Sequence, residues 1–258
     1  MKKFAFIGFV ILVLILYLRL DQSVPSPSVN PIPSAQPAAS ASVIESMDVI
    51  THQDQTYHYA YTVVDNLDKL HLYPNFKDQA LSQDLVSQQN CRVLVNGGFY
   101  DQNNDPLGWF VSQNQEIKKL RKSNLFNGFL SLDNNNQLTI APNKPTQPSR
   151  LGLQSGPLLV FDSKPLLLKI KADESRRRLV AIQTKDDQLA FLVIIGDDSS
   201  FSGPLLADTP AVVLAIGQKM GESFTNALNL DGGSASTFYT SELHLKEFSY
   251  IGSYFCEV

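Results

Sequence analysis

The chain has little of what metal and thiol chemistry requires. Two cysteines and four histidines occur in 258 residues. The histidines (His52, His58, His71 and His244) sit at no metal-ligand spacing, which argues against a zinc centre and a Ser-His-Asp triad. Charge is sparse as well, at 18% charged residues and a formal net charge of −4. The only unbroken run of three basic residues is Arg176-Arg177-Arg178, so the basic footprint of a nucleic-acid binder is missing. No internal repeat is found. What is present is an ordinary globular composition, 43% apolar. A domain of about 200 residues buries roughly 70% of the surface its unfolded chain exposes.

The N-terminus carries the strongest topological signal. Lys2 and Lys3 precede an unbroken apolar run from Phe4 to Leu18, closed by Arg19. As a helix the run covers roughly 23 Å, short of the hydrocarbon core of about 30 Å. Small residues suited to cleavage are absent just after it, and no cysteine lies nearby for lipoprotein processing. Residues 1–21 are therefore expected to act as a signal anchor, with a cleaved signal peptide as the alternative. The two lysines would stay inside, leaving the rest of the chain in the periplasm or another extracytoplasmic space, or secreted if cleavage occurs. Residues 22–46 follow as a tether. From Gln22 to Val43 there is no charge, and Pro25, Pro27, Pro31, Pro33 and Pro37 favour extended backbone. Cys91 and Cys256 are either two buried thiols or, in an oxidising compartment, one disulfide.

Residues 47–258 read as a single compact α+β domain with a mixed or antiparallel sheet and few helices. Strands are expected at Thr56–Val64, Cys91–Asn96, Leu107–Ser112, Gly128–Leu132, Gln137–Ile140, Leu158–Phe161, Leu166–Ile170, Leu179–Thr184, Leu189–Ile195 and Ala227–Leu230. Helices are expected at Asp78–Ser87 and from Pro210 to about Met220, with Thr209 as cap. Asp101, Asn103 and Asp105 begin like a calcium loop, but Pro106 and Ser112 break the pattern, leaving a polar turn. Trp109 is expected in the core, with a sugar-stacking platform as the alternative.

Three segments share one design, in which an apolar strand ends in a polar residue and small residues turn the backbone. They are Asn96-Gly97-Gly98-Phe99-Tyr100, Gln154-Ser155-Gly156-Pro157-Leu158, and Asn229 through Thr237, which contains Asp231-Gly232-Gly233-Ser234-Ala235-Ser236. Glycine permits close approach of backbone to a ligand, and exposed N–H groups in such turns attract anions. One such turn means little; three point to a shared site.

The blocks VNGGFYDQNNDPLGWFVSQNQE, LQSGPLLV, RRRLVAIQ and NALNLDGGSASTFY resemble, in order and spacing over about 50–239, those of the phosphodiester glycosidase family. Where members commonly carry Gly-Gly-Gly-Ser, this chain has Gly232-Gly233-Ser234-Ala235. The resemblance implies a compact α+β fold and cleavage of a sugar joined through its anomeric carbon to a phosphodiester. It implies no cofactor and no firm metal requirement. Such a reaction releases phosphate, a stable anion, and so needs less general-acid help than ordinary glycoside hydrolysis. On that basis Asp231 is the candidate general base or cation-stabilising group. Arg178 is the candidate phosphate ligand, although strand alternation puts Arg176 on the same face. Asn96 would orient sugar or water. Gly97, Gly98, Ser155, Gly156, Gly232, Gly233, Ser234 and Ser236 would bind substrate. Each has a plainer alternative as a turn residue or surface charge. The expected partners are a carbohydrate phosphodiester in envelope or extracellular glycan and, through the N-terminal helix, the membrane. The alternative is a non-catalytic glycan-binding or accessory protein of surface polysaccharide export.

Overall fold

The structure, a computed structural model, describes Ile44 and residues 46–258. The N-terminal apolar run and nearly all of the expected tether lie outside the described residues. In chain order the strands are β1 (Asp48–His52), β2 (Gln55–Val63), β3 (Leu70–Pro74), β4 (Val93–Asn96), β5 (Phe110–Ser112) and β6 (Gln115–Lys118). Next come β7 (Gly128–Asp133), β8 (Leu138–Ala141), β9 (Ser149–Ser155), β10 (Leu158–Phe161) and β11 (Lys164–Pro165). The last are β12 (Arg178–Thr184), β13 (Leu189–Gly196), β14 (Phe224–Asn229), β15 (Phe238–Tyr239), β16 (His244–Leu245) and β17 (Ser253–Glu257). Two longer helices, α1 (Ser82–Gln89) and α2 (Thr209–Met220), complete the described residues.

The strands form three sheets, ordered β1-β2-β13-β12-β14-β10-β11, β16-β15-β4-β17-β3 and β6-β5-β9-β7-β8, with antiparallel pairing throughout. The domain is thus more β-rich than the sequence suggests, and its sheets are not mixed. One core joins all three: Leu179, Phe191 and Leu228 from the first, Val95, Phe238 and Phe255 from the second, Phe110, Leu130 and Leu153 from the third. The alternate residues of the first sheet, Val180, Ile182, Leu192 and Ile194, face a second core roofed by Val212, Val213 and Ile216 of α2. Both faces of β12 and β13 are covered, which is why these strands are continuous apolar runs rather than alternating ones.

Most expected elements appear with shifted ends, and two differ in kind. Leu166–Ile170 is not a strand. Strand pairing stops at Pro165; Leu166 and Leu168 pack against the two cores, but Leu167 between them is 90% exposed and no strand edge receives the run. Thr209 is the first residue of α2 rather than its cap, which is Asp208; the Thr209 hydroxyl donates to the Leu205 carbonyl (2.8 Å). Trp109 is core, 2% exposed, with its indole N–H on Glu116 (2.8 Å). Asp101 accepts backbone N–H bonds from Asn103 and Asp105, which makes the calcium-like stretch a polar turn.

The C-terminal strand β17 was not legible in the sequence, yet it lies between β3 and β4 in the second sheet. Its Cys256 forms a disulfide with Cys91, just before β4, closing a separation of 165 residues. Beside it the buried Glu257 accepts from Arg92 (2.5 Å) and from the Asn66 N–H (2.8 Å). In the chain-entropy picture a crosslink of this span is worth up to about 5 kcal/mol. The double substitution Cys91→Ser, Cys256→Ser should therefore lower the denaturation midpoint by at least ~2 kcal/mol equivalent. Thiol titration of the untreated folded protein should find no free thiol.

Candidate active site

Each of the three glycine-bearing turns is a place where the chain leaves one sheet for another. After β4 the Gly97-Gly98 turn carries it from the second sheet toward β5 in the third. Ser155-Gly156-Pro157 carries it from β9 in the third to β10 in the first. Asp231-Gly232-Gly233 carries it from β14 in the first to β15 in the second. The crossings meet. The Asp231 N–H donates to the Gly97 carbonyl (3.1 Å), and the Asn229 N–H to the Pro157 carbonyl (3.1 Å). Two glycines have no substitute here. A Cβ on Gly232 would lie 2.5 Å from the Arg177 carbonyl oxygen. Gly156 has φ +157°, and a side chain there would collide with the Leu125 carbonyl.

Several predicted ligands turn out to hold this junction together. Asn96 is 1% exposed and its amide is spent on the scaffold. Its oxygen accepts the Thr237 N–H (2.8 Å) and its NH₂ donates to the Asp231 carbonyl (2.8 Å). It clamps both ends of the Asp231–Thr237 loop and cannot orient sugar or water. Ser155 donates to the Asn229 carbonyl (2.7 Å) and Ser236 to the Gly233 carbonyl (2.6 Å), both fully buried. Of the four N–H groups in the two Gly-Gly pairs, three are also committed. Gly97 donates to Ser253 (2.7 Å), Gly233 to Arg177 (2.9 Å), and Gly232 to the Asp231 carboxylate. Ser234 alone among the predicted serines is exposed.

Arg178 does not face the junction. Its guanidinium donates to the carbonyls of Pro204 (2.9 Å) and Glu174 (2.6 Å) and lies 3.6 Å from Asp173. Arg177 is buried likewise, bonded to the carbonyls of Ser200 (2.7 Å), Ser236 (3.0 Å) and Lys246 (3.2 Å). Arg176 is the one left at the surface. Its Nη1 lies 3.4 Å from where a Gly233 side chain would begin, and Glu174 is its ion-pair partner. The period-two argument failed because β12 begins only at Arg178, so residues 176 and 178 do not share a strand face.

Asp231 remains where it was expected, at the centre. It is partly exposed to solvent, yet protein surrounds its carboxyl closely enough that loss of hydration pushes its pKa up to about 8; the Gly232 N–H opposes this. Tyr100 stands beside it, its own pKa pushed up first by burial and then by the Asp231 charge. The Tyr100 hydroxyl donates to the Tyr250 carbonyl (2.9 Å), and the two rings lie 5.2 Å apart. Tyr100 belongs to the first glycine block and was within reach of the sequence argument. Tyr250, far along the chain, was not. A cavity of about 540 Å³ lies elsewhere, lined by Tyr73, Asn75 and Gln88, so volume alone does not locate the chemistry.

The raised pKa has a cost in stability. The folded state holds the Asp231 proton between about pH 3.8 and 8, where the unfolded chain has lost it. Stability therefore falls as pH rises through that window. Asp231→Asn, which mimics the protonated form, should unfold at higher denaturant than the parent at pH 7, with the gain vanishing near pH 3. Asn96→Ala should act oppositely: it strands two buried backbone groups, costing about 1–3 kcal/mol for each.

A family model described as phosphodiester glycosidase matches residues 89–253, which include all three turns. No curated protein matches the sequence. Among solved structures, the chain is similar to the zebrafish N-acetylglucosamine-1-phosphodiester alpha-N-acetylglucosaminidase catalytic domain, with a TM-score of 0.63 at 14% identity, covering 82% of this chain and 81% of that one. It is also similar to a hypothetical protein from Synechocystis (TM-score 0.57, 12% identity, 81% and 61% covered). A third is a putative exported protein from Burkholderia pseudomallei (TM-score 0.53, 12% identity, 78% and 73% covered). At these identities the structures speak for the fold alone. With the family match spanning well over half of its residues, this chain belongs to the phosphodiester glycosidase family.

Proposed function

We propose that the protein is a hydrolase that cleaves a glycosyl-1-phosphodiester in envelope or extracellular glycan. The observation that carries this reading is the Asp231 carboxyl, set at the meeting point of three sheet crossings, poorly hydrated although its residue is partly exposed, with its pKa raised to about 8. A carboxylate of that basicity is a far better proton acceptor than a free aspartate. It suits activation of a water that attacks the anomeric carbon while phosphate departs. The leaving phosphate needs a cation rather than a proton donor. Arg176 takes the role first given to Arg178, exchanging Glu174 for a phosphate oxygen, and the exposed Ser234 hydroxyl is a further donor. Tyr100 and Tyr250 would wall the sugar side. The lysines and apolar run at the N-terminus support placing this domain on the outer side of the inner membrane, anchored or released.

The test is turnover of a panel of sugar 1-phosphodiesters, followed by release of free sugar. With Asp231 as base, kcat/KM should climb about tenfold per pH unit below the group's pKa and level off above about pH 8. Asp231→Asn should lose about 10²–10³ in rate or more. A profile that falls through pH 8 instead would make Asp231 a proton donor. Arg176→Ala should weaken turnover with little change in the melting point, whereas Arg178→Ala should lower the melting point. No sugar released across the panel by folded protein would count against the hydrolase.

A further inference from the structure

A separate pocket, of about 340 Å³, is lined by Arg121, Lys122, Lys144, Asn124 and Asn143 and, among others, by Gln154, the residue before the Ser155-Gly156 crossing. Cations and neutral side chains line it, and no carboxylate does, in a protein whose net charge is −4. Lys144 is paired with Glu116 (2.6 Å). Arg121 and Lys122 form no salt bridge among the described residues, although Asp101 lies near enough to feel the Arg121 charge, and both are exposed. A lone cluster of surface lysines would mean little, but this segment is built into the site. Gln154, 6% exposed, holds it by donating to the carbonyls of Arg121 and Phe126 (2.6 Å each) and accepting the Arg121 N–H (3.1 Å). The Phe126 ring meets that of Phe99, next to Gly98, at 5.1 Å. The residues after Gln154 are the Ser155-Gly156 crossing itself. The cationic wall and Asp231 are thus fixed to the same junction.

We infer that this pocket binds a second anionic group of the substrate, so that the substrate is a chain of phosphate-linked units rather than a single sugar phosphodiester. This substrate class rests on the proposed function above. One phosphodiester occupies the Arg176 side of the junction; the next along the chain meets Arg121 and Lys122. Neutral amides from Asn124 and Asn143 suit the hydroxyls between phosphates. Free positive charge in an otherwise acidic protein also gathers a polyanion at low salt.

A probe without a glycosidic bond separates this inference from the hydrolase reading: a poly(glycerol phosphate) hexamer compared with glycerol phosphate. Calorimetry on the full protein should show the hexamer binding at least tenfold more tightly, with an affinity that falls as salt rises. The paired substitution Arg121→Glu, Lys122→Glu should cut the hexamer-to-monomer affinity ratio at least tenfold. Asp231→Asn should leave that ratio in place. Equal binding of hexamer and monomer, or a ratio that moves less than threefold in the charge-reversed protein, overturns the inference. Leu120 and Leu125 are 48% and 42% exposed on the same segment, so phosphatidylglycerol vesicles are the remaining probe. Charge-sensitive binding to those vesicles but not to the hexamer also overturns it and assigns the segment to a lipid surface.

Discussion

The bond from the Asp231 N–H to the Gly97 carbonyl joins the loop that leaves the first sheet to the turn that ends the central strand of the second. Much of the structure follows from needing that contact. Three sheets sharing one core must exchange chain somewhere, and each exchange strips backbone groups of their ladder partners. Here three of the four exchanges, all but the passage from β2 to β3, are brought to one place, so the stripped groups satisfy one another. Asn96 supplies what the backbone cannot, accepting from one end of the Asp231–Thr237 loop and donating to the other. Glycine at position 232 lets the loop lie against the Arg177 carbonyl.

Such a junction is rigid because it is saturated, and rigidity is what lets it hold Asp231 in a costly environment. A flexible loop would swing the carboxyl into water and restore an ordinary acidity. Instead the loop is pinned from Gly97, Asn96, Arg177 and Ser236, and the carboxyl stays where hydration is poor. The stability lost to that desolvation is local. It is offset by a core that reaches every sheet and by a disulfide that ties the C-terminal strand to the start of β4.

The sequence disclosed what is short-range. Glycine pairs after apolar strands, the paired runs of β12 and β13 around Asp186-Asp187, and the proline-started helix at 209 all write their geometry locally. It did not disclose which groups saturate the junction, because Asn96, Ser155 and Ser236 look the same whether they face ligand or backbone. Nor did it disclose β17. A five-residue strand with aromatic, sulfur and acidic side chains has no marked periodicity, and only its place between β3 and β4 makes Glu257 a buried anchor for Arg92 and Asn66. The leucines near 167 misled in the opposite sense, since an apolar run becomes a strand only where an edge receives it.

The arginine run shows most clearly how position, not composition, assigns function. A guanidinium has five donors, and a chain that leaves regular structure offers unpaired carbonyls. Arg177 and Arg178 enter β12 from an irregular segment, so their side chains fall among just such carbonyls from Ser200, Pro204, Ser236 and Lys246. Once buried there, neither can leave for a phosphate without abandoning several backbone acceptors to an apolar interior. Arg176 lies one step earlier, before the strand has closed, and among the described residues its ion-pair partner is the exposed Glu174. That pair is weak in water and easily exchanged for a phosphate oxygen. The same three residues therefore divide into two that build the site and one that can answer a ligand.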